Sequence, residues 1–286
     1  MTRLALRIAF RIALCAAIFV IAACEPLDLG GGSGVGGRLA FIRKGALVVS
    51  LDSGDAEKSI TEENTSAEPA LSPNGQTVVF AYSESGSTGR GIAMVAYGDL
   101  TITSLAEPSA GASFGSPTFS PDGEHVVFVA TSGAGSELWK VAVAGGTPER
   151  ISAHNDVYFP AFVNDRTLIV ASGAGLALSQ LDLATDSVTA LGGTLQSRAC
   201  VAPGGERIAY SRGGIVIVRT LATSAEKSLA TTSFGDQKPA FSPDGSFVAF
   251  EAQGPTEQQP KLYAAPSDGT GTTTLLQVGY DVAWGL

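Results

Sequence analysis

Residues that could do chemistry are few in this chain of 286 residues. Its two histidines, His125 and His154, have no partner at the spacing of roughly two to five residues that is typical of local zinc ligands. Residues 111–115, Gly-Ala-Ser-Phe-Gly, match the pattern of a nucleophilic serine, which needs a strand before it and a helix after it. The residues after this motif favour a further strand. We therefore expect neither a serine hydrolase nor a metal centre, and no cofactor.

A repeated pentapeptide that contains an aspartate indicates a structural unit instead. Phe-Ser-Pro-Asp-Gly occupies residues 119–123 and again residues 241–245, and residues 71–75 are a looser copy, Leu-Ser-Pro-Asn-Gly. In such a step proline presets the backbone, serine and aspartate bond to nearby amides, and glycine closes a type I turn. Asp122 and Asp244 are thus explained as turn residues without calcium, whose loops need several closely spaced oxygen ligands.

The large residue that begins each copy defines a repeat along the chain. Successive copies are separated by 48, 43, 39, 40 and 43 residues. A period of about 40 to 45 residues, made of β-rich runs between turns, is typical of propeller blades with four strands each. The six positions are Leu71, Phe119, Phe162, Val201, Phe241 and Trp284.

The two ends of the repeat region each carry part of one blade. Residues 38–60 have the pattern of a second, third and fourth strand without a first, and residues 280–284 have the pattern of a first strand alone. Together they complete a blade and remove the sheet edges that an open array would expose. We therefore predict an all-β fold, a six-bladed β-propeller over residues 38–286, closed by a C-terminal strand that completes the N-terminal blade.

The repeat resembles that of TolB-like β-propellers with PD40 repeats, in which a proline stands two residues before the large residue of every blade. Here the prolines are Pro69, Pro117, Pro160 and Pro239, and the chain departs from the pattern at Ala199 and Val282. The resemblance implies a fold more than an activity, because such blades occur in periplasmic scaffolds, in non-catalytic domains of peptidases and in some lyases.

One position of the repeat offers the best candidate for a binding surface. The residue before the proline position supplies one side chain per blade near the central channel, and propellers commonly bind at the channel mouth and the loops of one face. The same set is consistent with an internal ring of paired charges that binds nothing, because a packed propeller centre needs its charges neutralised. The six residues are Glu68, Ser116, Phe159, Arg198, Lys238 and Asp281.

The residue just before each large residue is small in every unit. Neighbours on a strand face opposite sides of the sheet, so small residues on one face can receive large ones from the next blade. We interpret Cys200 as such a packing residue and not as a reactive thiol. The six small residues are Ala70, Thr118, Ala161, Cys200, Ala240 and Ala283.

The first 24 residues indicate export and lipid attachment. Three arginines lead into residues 12–23, an uncharged apolar run that is too short to cross a bilayer but suits a secretory signal. Residues 21–24, Ile-Ala-Ala-Cys, resemble the lipobox of bacterial lipoproteins, in which the signal is cut before the cysteine and the cysteine is acylated. We expect a signal peptide over residues 1–23, lipid on Cys24 and a Gly-rich tether over residues 24–37. A plain signal peptide or an uncleaved anchor is the alternative.

The charge balance excludes one class of partner. The chain has 18 basic and 27 acidic residues, a net charge of −9. Without the three arginines of the leader the balance is 15 to 27, a net charge of −12. Such a surface repels phosphate backbones, so we expect no nucleic-acid binding.

The sequence therefore predicts a bacterial lipoprotein that displays a propeller as a protein-interaction scaffold in the cell envelope. We expect a monomer without enzymatic activity, held by its lipid at the outer membrane facing the periplasm or at the cell surface, with an envelope protein as partner. The alternative is a glycan-binding or polysaccharide-acting propeller, similar to lyases or hydrolases. The scarcity of histidine and the lack of a converging acid–base pair disfavour catalysis.

Overall fold

A computed structural model describes residues 37–51, 56–83, 89–109, 111–229, 238–253 and 258–285. The predicted signal peptide, the predicted lipidation at Cys24 and all but the last residue of the predicted tether lie outside the described residues. Every regular element in the described ranges is a β-strand. Within the same ranges, no helix meets the length and hydropathy needed to span a membrane.

The strands of the described chain form six antiparallel sheets of four strands, which are the blades. From the inner to the outer strand, blade 1 consists of β24 (Tyr280–Gly285), β1 (Arg38–Arg43), β2 (Ala46–Leu51) and β3 (Ala56–Ser59). Blade 2 consists of β4 (Ser66–Leu71), β5 (Thr77–Tyr82), β6 (Gly91–Ala96) and β7 (Ile102–Ala106). Blade 3 consists of β8 (Ser113–Phe119), β9 (His125–Ser132), β10 (Gly135–Ala142) and β11 (Glu149–Arg150).

The second half of the chain repeats this arrangement. Blade 4 consists of β12 (Val157–Asn164), β13 (Thr167–Ser172), β14 (Ala177–Asp182) and β15 (Ser187–Thr194). Blade 5 consists of β16 (Cys200–Val201), β17 (Arg207–Arg212), β18 (Ile215–Thr220) and β19 (Glu226–Ser228). Blade 6 consists of β20 (Ala240–Phe241), β21 (Phe247–Ala252), β22 (Lys261–Pro266) and β23 (Thr274–Val278).

The six blades close into a ring around a central channel. Each inner strand contacts the inner strand of the next blade, from β24 to β4, β8, β12, β16 and β20 and back to β24. In blade 1 the C-terminal strand β24 pairs antiparallel with β1, with Leu39 opposite Trp284 and Ala40 opposite Ala283. The predicted six-bladed propeller and its closure by the C-terminal strand are both confirmed.

The hydrophobic core lies between the blades. Each of six clusters of buried apolar side chains joins two neighbouring blades, and the last one joins blade 6 to blade 1. Full burial of one large apolar side chain contributes about 1.5 to 3 kcal/mol. Because every cluster is shared between two blades, a single blade gains this burial only when its neighbour is in place. A large aromatic residue of the second strand is fully buried in five blades, at Phe41, Phe80, Phe128, Tyr210 and Phe250.

Deleting residues 280–286 should abolish the cooperative unfolding of the propeller. The deletion removes β24, leaves β1 without its inner partner and opens the cluster of Phe41 and Val282 between blades 6 and 1. The measurement is a urea titration followed by far-ultraviolet circular dichroism and by tryptophan fluorescence. An unchanged cooperative transition would contradict ring closure by this strand.

A matched pair of valine substitutions separates closure from the general cost of losing residues. Val282 in β24 is fully buried, whereas Val278 in the outer strand β23 is 38% exposed. We expect Val282→Ala to lower the free energy of unfolding by about 2 to 3 kcal/mol, from lost methylene burial and the cavity left behind. Val278→Ala should change it by less than about 0.5 kcal/mol.

Candidate functional site at the central channel

The residue before the proline position lies at a break in the register of the inner strand. The pairing of β4 with β5 shifts around Glu68, and that of β8 with β9 shifts around Ser116. Glu68, Ser116, Phe159 and Asp281 all have a positive φ between 50° and 55°. This conformation is uncommon for residues other than glycine, and such bulges re-aim a side chain. In these four blades the position is therefore turned out of the ladder.

Three carboxylates link consecutive blades through these bulges. The Glu251 carboxylate of blade 6 accepts a hydrogen bond from the backbone N–H of Asp281, with an oxygen–nitrogen distance of 2.7 Å. The Asp281 carboxylate accepts one from the N–H of Glu68 at 2.7 Å, and the Glu68 carboxylate accepts one from the N–H of Ser116 at 2.7 Å. Hydrogen bonds to a charged acceptor are among the stronger ones in proteins, so this relay stabilises the bulges of blades 1 to 3.

Two cations complete the ring of charges. Lys238 Nζ lies 3.1 Å from Asp281 Oδ2, and the Asp281 side chain is only 2% exposed. Burial lowers the pKa of Lys238, but the charges of Asp281, Glu251 and Glu68 more than offset this, so its pKa lies above the ordinary value. Lys238 therefore carries a positive charge that balances a buried carboxylate.

Arg198 crosses the axis of the propeller. Its guanidinium NH2 donates to the carbonyl oxygen of Pro69 at 2.9 Å. Arg198 belongs to blade 5 and Pro69 to blade 2, which are opposite each other in a ring of six. Arg198 differs from Glu68 and Asp281 in two ways. It precedes its strand instead of lying within it, and it bonds across the channel instead of to the next blade.

A small cavity of about 130 Å³, lined mostly by charged and polar residues, lies inside the ring of charges. Five of the six residues predicted as a channel surface line this cavity, and Ser116 contacts the ring through Glu68. Among the described residues, Asp281 Oδ1 and Ser197 Oγ are buried at this cavity without a hydrogen-bond partner. An unpaired buried acceptor is costly, so the cavity is suited to water or another small donor. The lining residues are Glu68, Phe159, Gln196, Ser197, Arg198, Lys238 and Asp281.

The structure brings the predicted set together and joins two of its four charged residues, Lys238 and Asp281, in an ion pair. Glu68 and Arg198 bond to backbone atoms, and Asp281 Oδ1 and Ser197 Oγ stay unused at the cavity. The role of this set as a binding surface stays a prediction.

The other end of the channel is a wider cavity of about 540 Å³ with a mainly apolar wall. Prolines of the Ser-Pro turns rim it, and Arg198 borders both cavities and so separates them. From the sequence, the large residues of the repeat predicted the number of blades but not their own position in this wall. Their recurrence on one strand face, opposite a column of small residues, is the signal that could have found it. These six residues are Leu71, Phe119, Phe162, Val201, Phe241 and Trp284.

The serine motif and Cys200, the other candidates for chemistry, both lie where they serve the fold. The sequence predicted a strand after the motif at residues 111–115, and the motif indeed enters strand β8 at Ser113 and no helix follows it among the described residues. Cys200 is partly buried and packs against the cluster between blades 5 and 6, and burial raises the pKa of its thiol to about 12. A thiol with this pKa is a poor nucleophile at neutral pH.

His154 belongs to a contact between blades 3 and 4. Its Nε2 lies 3.0 Å from the carbonyl oxygen of Asp186, whose carboxylate accepts hydrogen bonds from Ser152 Oγ at 2.7 Å and from the N–H of Ala153 at 2.8 Å. Ser152 therefore donates to Asp186 and not to the imidazole. The three side chains do not have the order of a catalytic triad.

The family and the structural neighbours agree with this architecture. Residues 39–215 match the family model PD40, described as TolB beta propeller domain. The chain belongs to this TolB propeller family. The structural repeat continues beyond the matched residues, to the end of β24 at Gly285. No curated protein sequence matches the chain at a significant level.

Solved structures of TolB proteins share the propeller. TolB from Acinetobacter baumannii superposes with a TM-score of 0.72 at 20% identity, over 87% of this chain and 66% of that chain. A putative TolB from Agrobacterium tumefaciens superposes with a TM-score of 0.62 at 15% identity, over 86% of this chain and 90% of that chain. At these identities the likeness concerns the fold alone. About a third of the Acinetobacter protein has no counterpart in the alignment.

An enzyme shares the fold more loosely. An oligogalacturonate lyase in complex with manganese superposes with a TM-score of 0.54 at 15% identity, over 80% of this chain and 69% of that chain. TolB-family propellers and catalytic propellers therefore cannot be told apart by fold, and the residues of the site must decide.

Replacing Lys238 by Met should destabilise this TolB-family propeller strongly. The change leaves the Asp281 carboxylate buried without its cation, and breaking a buried ion pair in this way costs roughly 3 kcal/mol. The measurement is the free energy of unfolding in urea. A loss below about 1 kcal/mol would show that the pair is not needed to keep this carboxylate in the channel.

The double variant Lys238→Met, Asp281→Asn is the matched control. The introduced asparagine keeps an oxygen that can accept from the N–H of Glu68, and asparagine tolerates the positive φ of this position. The second substitution removes the unpaired charge, so the double variant should be more stable than Lys238→Met alone.

Proposed function

We propose that this chain is a membrane-anchored bacterial lipoprotein whose propeller serves as a protein-interaction scaffold in the cell envelope. One observation carries the proposal. The channel is divided by Arg198 into a charged, internally bonded end and a wide apolar end, and the apolar end is bordered by one large side chain from every blade. Such a recess presents rigid apolar surface to a protein segment, as interface cores do.

The chemistry of the channel supports a binding role over a catalytic one. No histidine is among the residues lining either channel cavity. The carboxylates of Glu68 and Asp281 already accept hydrogen bonds from backbone amides of the next blade. A general acid or base must reach the substrate's proton, whereas both oxygens of Glu68 are bonded to Ser116 and the Asp281 side chain is only 2% exposed.

The placement in the envelope rests on the sequence of the first 24 residues. The lipobox-like Ile-Ala-Ala-Cys at residues 21–24 favours acylation at Cys24, and the glycines that follow favour a tether to the propeller. A glutamate directly after the cysteine, here Glu25, resembles the signal that sorts lipoproteins to the outer membrane. We therefore propose that the propeller is held at that membrane, facing the periplasm or the cell surface.

Partner capture from the envelope tests the scaffold function. The full chain, purified from detergent-solubilised membranes, should carry a protein partner in a fixed ratio, measured by quantitative mass spectrometry. Phe162→Ser at the apolar end of the channel should reduce the recovered partner at least tenfold, because it replaces an apolar contact by a hydroxyl. Ile215→Ser, at a residue that is 42% exposed on β18, is the matched control and should leave recovery unchanged.

Two outcomes would contradict the scaffold. Equal recovery with Phe162→Ser and with the unchanged chain would remove the channel from the interaction. Turnover of a cell-wall or polysaccharide fragment by the purified chain would establish the glycan-acting alternative. The likeness to the lyase supports that alternative by fold alone and identifies no catalytic residue in this chain.

Replacing Cys24 by Ser should release the protein from the lipid-bound membrane fraction. The hydroxyl cannot take the thioether-linked lipid, and each buried methylene of an acyl chain contributes about 0.8 kcal/mol to membrane binding. The measurement is fractionation of membranes followed by mass spectrometry of the N-terminal peptide. Cys15→Ser, within the predicted leader, is the matched control and should not change the distribution. Continued retention of Cys24→Ser would instead favour an uncleaved anchor.

A further inference from the structure

The first turn of blade 3 carries more ligand groups than its fold requires. In blade 6 the same Ser-Pro-Asp-Gly turn continues with Ser246 and Phe247, and Ser246 donates to the Asp244 carboxylate through its N–H at 3.0 Å and its hydroxyl at 2.7 Å. The corresponding residues of blade 3 are Glu124 and His125. Both turns close with the same backbone pattern, so neither the Glu124 carboxylate nor the His125 imidazole is needed to form the turn.

The bonds of the blade 3 turn use only part of the available atoms. Asp122 Oδ1 accepts hydrogen bonds from Ser120 Oγ at 2.5 Å and from the N–H of Glu124 at 2.9 Å. The N–H of His125 donates to Ser120 Oγ at 3.0 Å. Asp122 Oδ2, the Glu124 carboxylate and both ring nitrogens of His125 make no hydrogen bond with the described residues.

The side chains of these three residues lie close together. One ligand atom from each of Asp122, Glu124 and His125 lies within 4.8 Å of the other two. A divalent ion held at about 2.0 to 2.2 Å from each ligand atom needs those atoms within roughly 4 Å of one another. Asp122 is held by its two hydrogen bonds, whereas the exposed Glu124 carboxylate makes none with the described residues, so its side chain can rotate toward the other two ligand atoms.

The cations near this cluster are already neutralised. Asp122 and His125 line a cavity of about 430 Å³ between blades 3 and 4, together with Lys140 and Arg150. Lys140 Nζ lies 2.8 Å from Glu149 Oε1. Arg150 is paired on the same blade, with its NH1 3.1 Å from Glu137 Oε1. The Asp122 and Glu124 carboxylates, which form no salt bridge with the described residues, therefore keep a local negative charge that attracts a cation.

We propose that Asp122, Glu124 and His125 bind a divalent transition-metal ion at the rim of this cavity. One imidazole and two carboxylates suit zinc and its first-row neighbours, whereas calcium takes oxygen ligands alone. Three protein ligands leave a coordination position open toward the cavity, for water or for a bound ligand. The sequence predicted no metal because Asp122 was interpreted as a turn residue and His125 was found to have no ligand partner; the partners proposed here are carboxylates one and three residues before His125.

Metal titration of the purified chain tests the site. The chain is prepared in detergent without a histidine tag, stripped with a chelator and titrated separately with Zn²⁺, Mn²⁺ and Ca²⁺ by isothermal calorimetry. We expect one equivalent of Zn²⁺ to bind, Mn²⁺ to bind at least tenfold more weakly, and Ca²⁺ to give no saturable binding, following the ligand set and the metal series.

Variants that copy the turn of blade 6 keep the fold while removing the ligands. Glu124→Ser and His125→Phe install the residues that blade 6 uses at the same turn, and each should weaken Zn²⁺ binding at least tenfold. Asp244→Asn in blade 6 and His154→Gln are matched controls and should leave Zn²⁺ binding unchanged. Thermal melts verify that each variant folds. Zn²⁺ should raise the melting temperature of the unchanged chain and of both controls, but not that of the two ligand variants.

Three outcomes would overturn the site. The first is a lack of saturable Zn²⁺ binding in the unchanged chain at millimolar metal. The second is equal affinity in His125→Phe and the unchanged chain. The third is loss of binding in His154→Gln, which would assign the metal to the contact between blades 3 and 4 around Asp186.

Discussion

The pairing of β24 with β1 is the contact on which the rest of the structure depends. Each hydrophobic cluster joins two blades, so every blade needs a neighbour on both sides to bury its faces. Five interfaces can form along the chain by local addition, but the sixth joins the last blade to the first. Only a strand from the C-terminus inside the N-terminal blade ties these two ends together, and closing so long a loop makes the final contact costly in entropy.

Closure creates the second constraint, which is the crowding of six inner strands around one axis. Four inner strands contain a bulge at which one residue of positive φ is turned out of the backbone hydrogen-bond ladder. These residues are Glu68, Ser116, Phe159 and Asp281. Such conformations cost about 1 to 3 kcal/mol each, and glycine would avoid the strain. Glycine has no carboxylate, however, and the carboxylates of Glu68 and Asp281 satisfy the amide of the next bulge. The backbone strain at Glu68 and Asp281 is thus offset by the hydrogen bonds that their carboxylates accept from the next blade.

The repeat made the fold predictable from the sequence, and the same regularity set the limit for the site. The regular period of the large residues and the incomplete blades at the ends determine blade number and closure, because each is a property of spacing. The relay from Glu251 to Ser116 depends on which bulge amide faces which carboxylate, and spacing carries no such information. The same holds for Arg198, whose bond to Pro69 crosses the axis between residues that are 129 positions apart.

Deviations from the repeat are therefore the informative residues in this family of folds. Positions that all six blades share, such as the small residue before each large one, follow from packing between the blades. Arg198 and Lys238 stand where the other four blades have a residue of positive φ, and Glu124 and His125 stand where blade 6 has Ser246 and Phe247. The buried carboxylate of Asp281 explains the charge of Lys238, and Arg198 bonds to Pro69, whereas closure of the blade 3 turn requires neither Glu124 nor the His125 imidazole. A side chain that its turn does not require cannot be predicted from packing, so such a residue is where chemistry beyond the fold should be sought.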